Sequence, residues 1–213
     1  MHFIERWIFT LTLAFIIIGY LSGSVLYARI FARLFRKKDI IENSKDHNPG
    51  TANAFKYGGF LCGVLTLIFD LAKGFLPVFL YILFRDPTAE PAYGLTLVLA
   101  APVIGHTFPI FFKFKGGKGI AATFGCLLGL LPDWYPVVVL AVFFVLFSTI
   151  IRISPHYHRT LVTYGVSLII MPRIVSASAV WLGFILISAA VFVRMLLSSE
   201  EKEKMRFNLL WMR

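Results

Sequence analysis

The chain has 213 residues, 58% hydrophobic and only 15% charged, with a mean hydropathy of +0.79. So apolar a composition excludes a water-soluble globular domain. In such a chain the formal net charge of +10 points to loops held at a cytoplasmic membrane face rather than to nucleic acid.

A helix crosses a bilayer core of roughly 30 Å with about 20 apolar residues. Continuous runs such as Ile8 to Tyr27 and Val137 to Ile151 exclude the alternating ten-residue segments of a transmembrane barrel. The predicted fold is therefore all-α: one polytopic transmembrane domain over residues 1–213 with about seven spans. The first span, about Trp7 to Phe31, ends in Arg33, Arg36, Lys37 and Lys38, and is read as retained because no small-residue cleavage site follows it. A polar island from Lys37 to Gly59 contains the breakers Asn48-Pro49-Gly50 and Gly58-Gly59. The second span, Phe60 to Phe84, gives way to the turn Arg85-Asp86-Pro87. A third, about Ala92 to Ile110, leads into Lys113 to Gly119, and a short fourth runs from about Ile120 to Leu131. The fifth covers about Tyr135 to Ile151, the sixth Thr160 to Ile170 and the seventh Ile174 to Val193, followed by a polar tail from Arg194 to Arg213.

Seven spans place the N-terminus outside and the C-terminus in the cytoplasm. Of the 21 Lys and Arg residues, seventeen then lie inside, Arg6, Arg85 and Arg173 lie outside, and Lys73 lies within a span. That asymmetry follows the positive-inside rule and puts both glycine-bearing islands on the cytoplasmic face.

The densest chemistry lies in Gly105-His106-Thr107-Phe108-Pro109 and the following Lys113-Phe114-Lys115-Gly116-Gly117-Lys118-Gly119. Gly116, Gly117 and Gly119 let backbone approach an anion, Lys115 and Lys118 supply positive charge, and a helix beginning at Ile120 adds its N-terminal dipole. From the loop alone, phosphate binding and a lipid-facing turn both stay open. In the first island Asn48, Gly50 and Asn53 suit a polyol and Lys56 a phosphate, beside the simpler reading of an Asn-Pro-Gly turn. Asp70 and Lys73, three apart on one helix face, are expected to form an intramembrane ion pair. His106 is a candidate base or phosphate ligand. His156 and His158 beside Arg159 have no carboxylate near them in sequence, and Cys62 and Cys126 have no ligand spacing, so neither a metal site nor a cofactor is expected.

Together these residues resemble the bacterial acyl-phosphate:glycerol-3-phosphate acyltransferases, the PlsY family of small seven-helix membrane enzymes. The resemblance covers roughly the first 125 residues and rests on Gly23-Ser24, the Asn48 to Asn53 loop, Asp70-x-x-Lys73-Gly74 and the whole motif from Gly105 to Gly119. It implies a plasma-membrane enzyme whose glycine loop takes the phosphate of glycerol 3-phosphate while an acyl phosphate acylates the 1-hydroxyl, giving lysophosphatidic acid. His106, Lys115 and Lys118 would then act in catalysis, and Asn48, Gly50, Asn53, Lys56, Gly116, Gly117 and Gly119 in substrate binding. The implied partners are the two substrates, the bilayer and a soluble enzyme that forms the acyl phosphate. Asp46, Ala52 and Lys56 stand where the family has Ser, Thr and Arg, and the family's third motif, with its His and Asn, has no counterpart in Arg194 to Arg213. Those departures motivate the alternative of a non-catalytic paralogue that binds a phosphorylated lipid precursor or a partner enzyme.

Overall fold

In the computed structural model, which describes residues 2–35, 44, 46–88, 91, 93–198 and 203–210, the first apolar run is two helices. Helix α1 (His2–Gly23) stops where the Ser24 hydroxyl folds back 2.8 Å onto the Tyr20 carbonyl, and α2 (Tyr27–Leu34) begins after an extended Leu26. The expected single span from Trp7 to Phe31 is thus corrected. Its break leaves the Val25 carbonyl outside any helical ladder, where the Lys73 ammonium takes it at 2.7 Å.

The first island folds as a short α3 (Thr51–Asn53) running into a π-helical turn, Ala54–Gly58. Then come α4 (Phe60–Phe84), α5 (Gly94–Thr107), a 3-10 turn at Ile110–Phe112 and α6 (Ile120–Leu128). Helix α7 (Tyr135–Val145) continues as a π-helical turn, Leu146–Ile150, into strand β1 (Ile151–Ser154). Helices α8 (His156–Ile174) and α9 (Ser178–Leu196) follow, and β2 (Arg206–Leu209) closes the described chain. Strand β2 pairs antiparallel with β1, from Ile151 opposite Leu209 to Ser154 opposite Arg206. The fold is therefore mostly helical rather than all-α, because part of the expected polar tail finds its backbone partners in the segment after α7. The helix that covers the expected sixth span is also longer than Thr160 to Ile170: α8 starts at His156, four residues before Thr160.

Four helices among the described residues are long and apolar enough to cross a membrane: Arg6–Gly23, Phe60–Phe84, Gly94–Phe112 and Ser178–Leu196. Their outward faces carry Trp7, Ile17, Phe60, Ile68, Leu83, Leu182 and Val193, all exposed, an apolar surface that only a non-aqueous medium covers without penalty. Arg36, Lys37, Lys38, Lys45, Lys202 and Arg213, part of the basic set expected on the cytoplasmic face, lie outside the described residues.

Helix α5 is central, packing against α1, α4, α6 and α9, with Val98, Leu99, Ala100 and Val103 fully buried. Small residues set the closest approaches. A β-carbon at Gly23 would strike the Pro102 carbonyl of α5, and one at Gly125 the Leu71 carbonyl of α4. Helices touch backbone to backbone there, the way small residues bring helices together in a membrane. Pro77 in α4 has no N–H for the Lys73 carbonyl, and the Ser22 hydroxyl of α1 donates to that carbonyl instead, at 3.2 Å.

Candidate active site

One cavity of about 610 Å³ lies between the first island, α4, α6 and the start of α8. Leu67, Asp70 and Leu71 supply the α4 wall; Ile120, Ala121, Phe124 and Leu128 supply the α6 wall. Both sets follow helical periodicity, so each helix turns one face inward. Asn48, His106, Lys118 and His156 supply polar lining, and Phe124 and Leu128 carry the wall away from Lys118 and Ile120 along α6. Nine helical residues rise roughly 13 Å, so the space has a polar head and an apolar body.

The polar end is built by loops folding onto helix termini. After α5 the chain turns through Lys113 and Phe114, both at positive φ, and returns so that the Gly116 and Gly117 N–H groups donate to the Thr107 and His106 carbonyls at 3.2 and 3.0 Å. Those carbonyls end α5 and have no helical partner. A side chain at Gly117 would strike the His106 ring, and one at Gly116 the His106 carbonyl. The glycines therefore cap α5 and pack on His106; the expected convergence of their N–H groups on an anion is not what this geometry shows. Arg194 at the end of α9 donates to the Gly116 carbonyl at 2.9 Å and anchors the loop. Gly119 differs: it sits at φ 83°, caps the start of α6 and lines the cavity.

Lys118 is buried in the cavity wall and pairs with Asp46 at 3.0 Å. Asn53 donates to Asp46 and to the Asn48 carbonyl, both at 2.8 Å, so it shapes the first island rather than facing the cavity. Burial alone would raise the Asp46 pKa, but the Lys118 charge and the hydrogen bonds from Asn53 and Lys118 outweigh it and hold the carboxyl below its ordinary range. Among the described residues, nothing donates to the buried Oδ1 of Asn48, and Asn48 lines the cavity. The first residues of α6 and α8, Ile120 and His156, line it too. Two helix N-termini and one lysine thus bring positive potential to one place.

Asp70 and Lys73 form the expected ion pair, 2.8 Å apart and fully buried. Lys73 also reaches the Val25 carbonyl and Nδ1 of His106, each at 2.7 Å. The ammonium is thus surrounded by the Asp70 carboxylate, the Val25 carbonyl and the His106 ring. Since an ammonium only donates, His106 Nδ1 accepts and a neutral ring carries its proton on Nε2.

Of the residues singled out in the sequence, the structure brings Asn48, Gly50, Asp70, His106, Lys118 and Gly119 to the cavity wall. Lys115 is exposed on the returning loop and Lys56 is exposed over the Tyr57 ring; neither lines the cavity, nor do Asn53, Gly116 and Gly117. Sequence reasoning missed Thr51 and His156 as lining residues and Asp46 as the partner of Lys118. The spacing of His156 and Arg159, three apart like Asp70 and Lys73, was the available signal, but only the long return of the chain to α6 shows where it leads.

Known proteins place this architecture. The crystal structure of PlsY (YgiH), an integral membrane glycerol 3-phosphate acyltransferase, in its glycerol 3-phosphate form superimposes with a TM-score of 0.71 over 86% of this chain and 87% of that one, at 24% identity. Its lysophosphatidic acid form gives 0.70 over the same shares. Both establish a shared fold. A glycerol-3-phosphate acyltransferase of Actinobacillus pleuropneumoniae serotype 5b is 44% identical over 115 residues, 54% of this chain and 56% of the relative. That of Pseudoalteromonas translucida is 46% identical over 118 residues, 55% of each chain. The matched stretch spans about half the length of these relatives. The family model for glycerol-3-phosphate acyltransferase, by contrast, matches residues 13–203. With that extent of match and the shared fold, the chain belongs to the glycerol-3-phosphate acyltransferase family.

Proposed function

We propose that the protein transfers an acyl group from an acyl phosphate to the 1-hydroxyl of glycerol 3-phosphate, giving lysophosphatidic acid for phospholipid synthesis. The observation that carries this reading is that one cavity joins Lys118 and two helix N-termini to an apolar groove along α6. A phosphate and an acyl chain meet in that space. The hydroxyl oxygen attacks the acyl carbonyl carbon, the bond from that carbon to the phosphate oxygen breaks, and the hydroxyl proton leaves with the inorganic phosphate. The donor is already activated, so the protein's work is positioning and charge neutralisation. Lys118 and Gly119 with the start of α6 hold phosphate, Asn48 and Gly50 orient the acceptor, and His106 donates through Nε2. Its Nδ1 lone pair is taken by Lys73, which favours an orienting role over a basic one.

The relatives' glycerol-3-phosphate acyltransferase activity supports the acceptor, and the basic loops support a seven-span arrangement with the N-terminus outside and the active face cytoplasmic. The bacterial plasma membrane is the inferred site, with the acyl phosphate supplied by a soluble enzyme. The test is incorporation of labelled glycerol 3-phosphate into chloroform-soluble product by detergent-purified protein with an acyl phosphate donor. Product falling about a hundredfold in Lys118→Ala is expected. Equal product from parent and variant overturns the assignment, and binding without turnover returns the non-catalytic paralogue.

A further inference from the structure

His156 opens α8 and lines the polar end of the cavity, the same end as Lys118. Three residues on, one helical turn along, the Arg159 guanidinium lies 2.8 Å from His156 Nδ1. A guanidinium has only donors and stays protonated in proteins, so Nδ1 accepts and the ring proton is on Nε2. Among the described residues, no group bonds Nε2. The ring is thereby fixed as a neutral donor with one available N–H, on a residue that lines the cavity.

We propose that His156 is a substrate-contacting residue, donating a hydrogen bond from Nε2 to a phosphate oxygen held at Lys118, and that Arg159 is the positioning residue that fixes its tautomer. This rests on the cavity being the acyl-transfer site. A neutral donor adds no charge beside Lys118, yet binds an oxygen whose charge grows as the acyl bond breaks. The charged groups facing the ring agree with that state. Burial, then Lys118, then Arg159 disfavour the imidazolium, Asp46 opposes them weakly, and the pKa is pushed down to about 4. His156 therefore stays neutral throughout the pH range where the enzyme would work.

The experiment compares kcat and KM of the purified full chain for His156→Ala, His156→Gln and Arg159→Met, with Lys118→Ala as control. His156→Ala is expected to lose kcat about a hundredfold with little change in KM, the cost typical of one lost oxyanion donor. His156→Gln, which offers an amide N–H near the Nε2 position, is expected to recover at least tenfold of that loss. Arg159→Met is expected to turn the single Nε2–H tautomer of His156 into a mixture, read by nitrogen-15 NMR, because Nδ1 then has no donor while burial and Lys118 still keep the ring neutral. If Gln and Ala behave alike, or if Arg159→Met leaves the His156 tautomer unchanged, the proposal fails while the Lys118 control still reports on the cavity. If Lys118→Ala is also fully active, the cavity reading itself is what failed. Nitrogen-15 NMR of the parent protein is a check independent of variant folding: an acceptor-type Nδ1 signal from His156 that persists at pH 6 supports the proposal, and a protonated Nδ1 overturns it.

Discussion

Asp46 is where this chain departs most visibly from its family's first motif, and the structure gives the departure a physical role. A carboxylate beside an anion site looks unfavourable, yet here it neutralises Lys118 at 3.0 Å and is itself held by Asn53. A phosphate arriving at Lys118 has to compete with that carboxylate. Asp46→Asn keeps an oxygen for the Asn53 amide and removes the charge, so KM for glycerol 3-phosphate is expected to fall about tenfold, or ~1.4 kcal/mol, in steady-state kinetics. The sign of the pH effect follows from the depressed Asp46 pKa. The ion pair's contribution is intact above the ordinary carboxylate range and is lost as pH falls through the lower folded-state value. Asp46→Asn should accordingly lose part of the parent's acid-induced drop in melting temperature. An identical acid limb in both proteins contradicts this role. In the sequence Asp46 was legible only as a substitution, because its partner lies 72 positions away and the pairing depends on how two loops return to one place.

Among the elements, α4 does two tasks with one face. Asp70 and Lys73 were legible as a pair from their spacing alone, since residues three apart share a helix face. What the spacing did not carry is the rest of the Lys73 shell: the Val25 carbonyl, exposed by the break after α1, and His106 on α5. Lys73 therefore ties three segments together at the polar end of the cavity. Lys73→Met leaves Asp70 as an unpaired buried charge and is expected to destabilise by about 3–5 kcal/mol, read as a lower melting temperature in detergent. The double variant Asp70→Asn with Lys73→Met should recover a large part of that loss. No recovery would show that Lys73 acts through its bonds to Val25 and His106 alone. The glycine loop illustrates the opposite case. Its composition pointed to backbone N–H groups aimed at an anion, but two of them close the exposed end of α5. A motif read in isolation does not reveal which carbonyls a loop must satisfy when it folds back on the helix before it.

For the whole molecule, hydropathy located α4 through α9 to within a few residues, because burying backbone in a membrane demands hydrogen-bonded helices. It did not locate the break between α1 and α2 or the pairing of β1 with β2, both set by local backbone bonding that periodicity does not register. The seven-span orientation predicts opposite accessibility for two turns. With Cys62 and Cys126 replaced by alanine, a single cysteine at Thr88, beyond α4, should react with a membrane-impermeant maleimide added outside intact cells. One at Lys113 should react only after the membrane is opened. The reverse pattern would invert the topology and place the cavity's polar end on the outer face.

The central claim is that one cavity holds the phosphate at the start of α6 and the acyl chain along it. Leu128, at the far end of α6 and in the cavity wall, is the place to test it. The most direct measurement is the ratio of transfer rates from a long-chain and a short-chain acyl phosphate in Leu128→Trp against the parent. Filling the far end of the groove should lower that ratio by about tenfold or more while short-chain transfer stays near the parent rate. A ratio equal to the parent's, in a variant that folds and turns over, would place the acyl chain elsewhere and contradict the account.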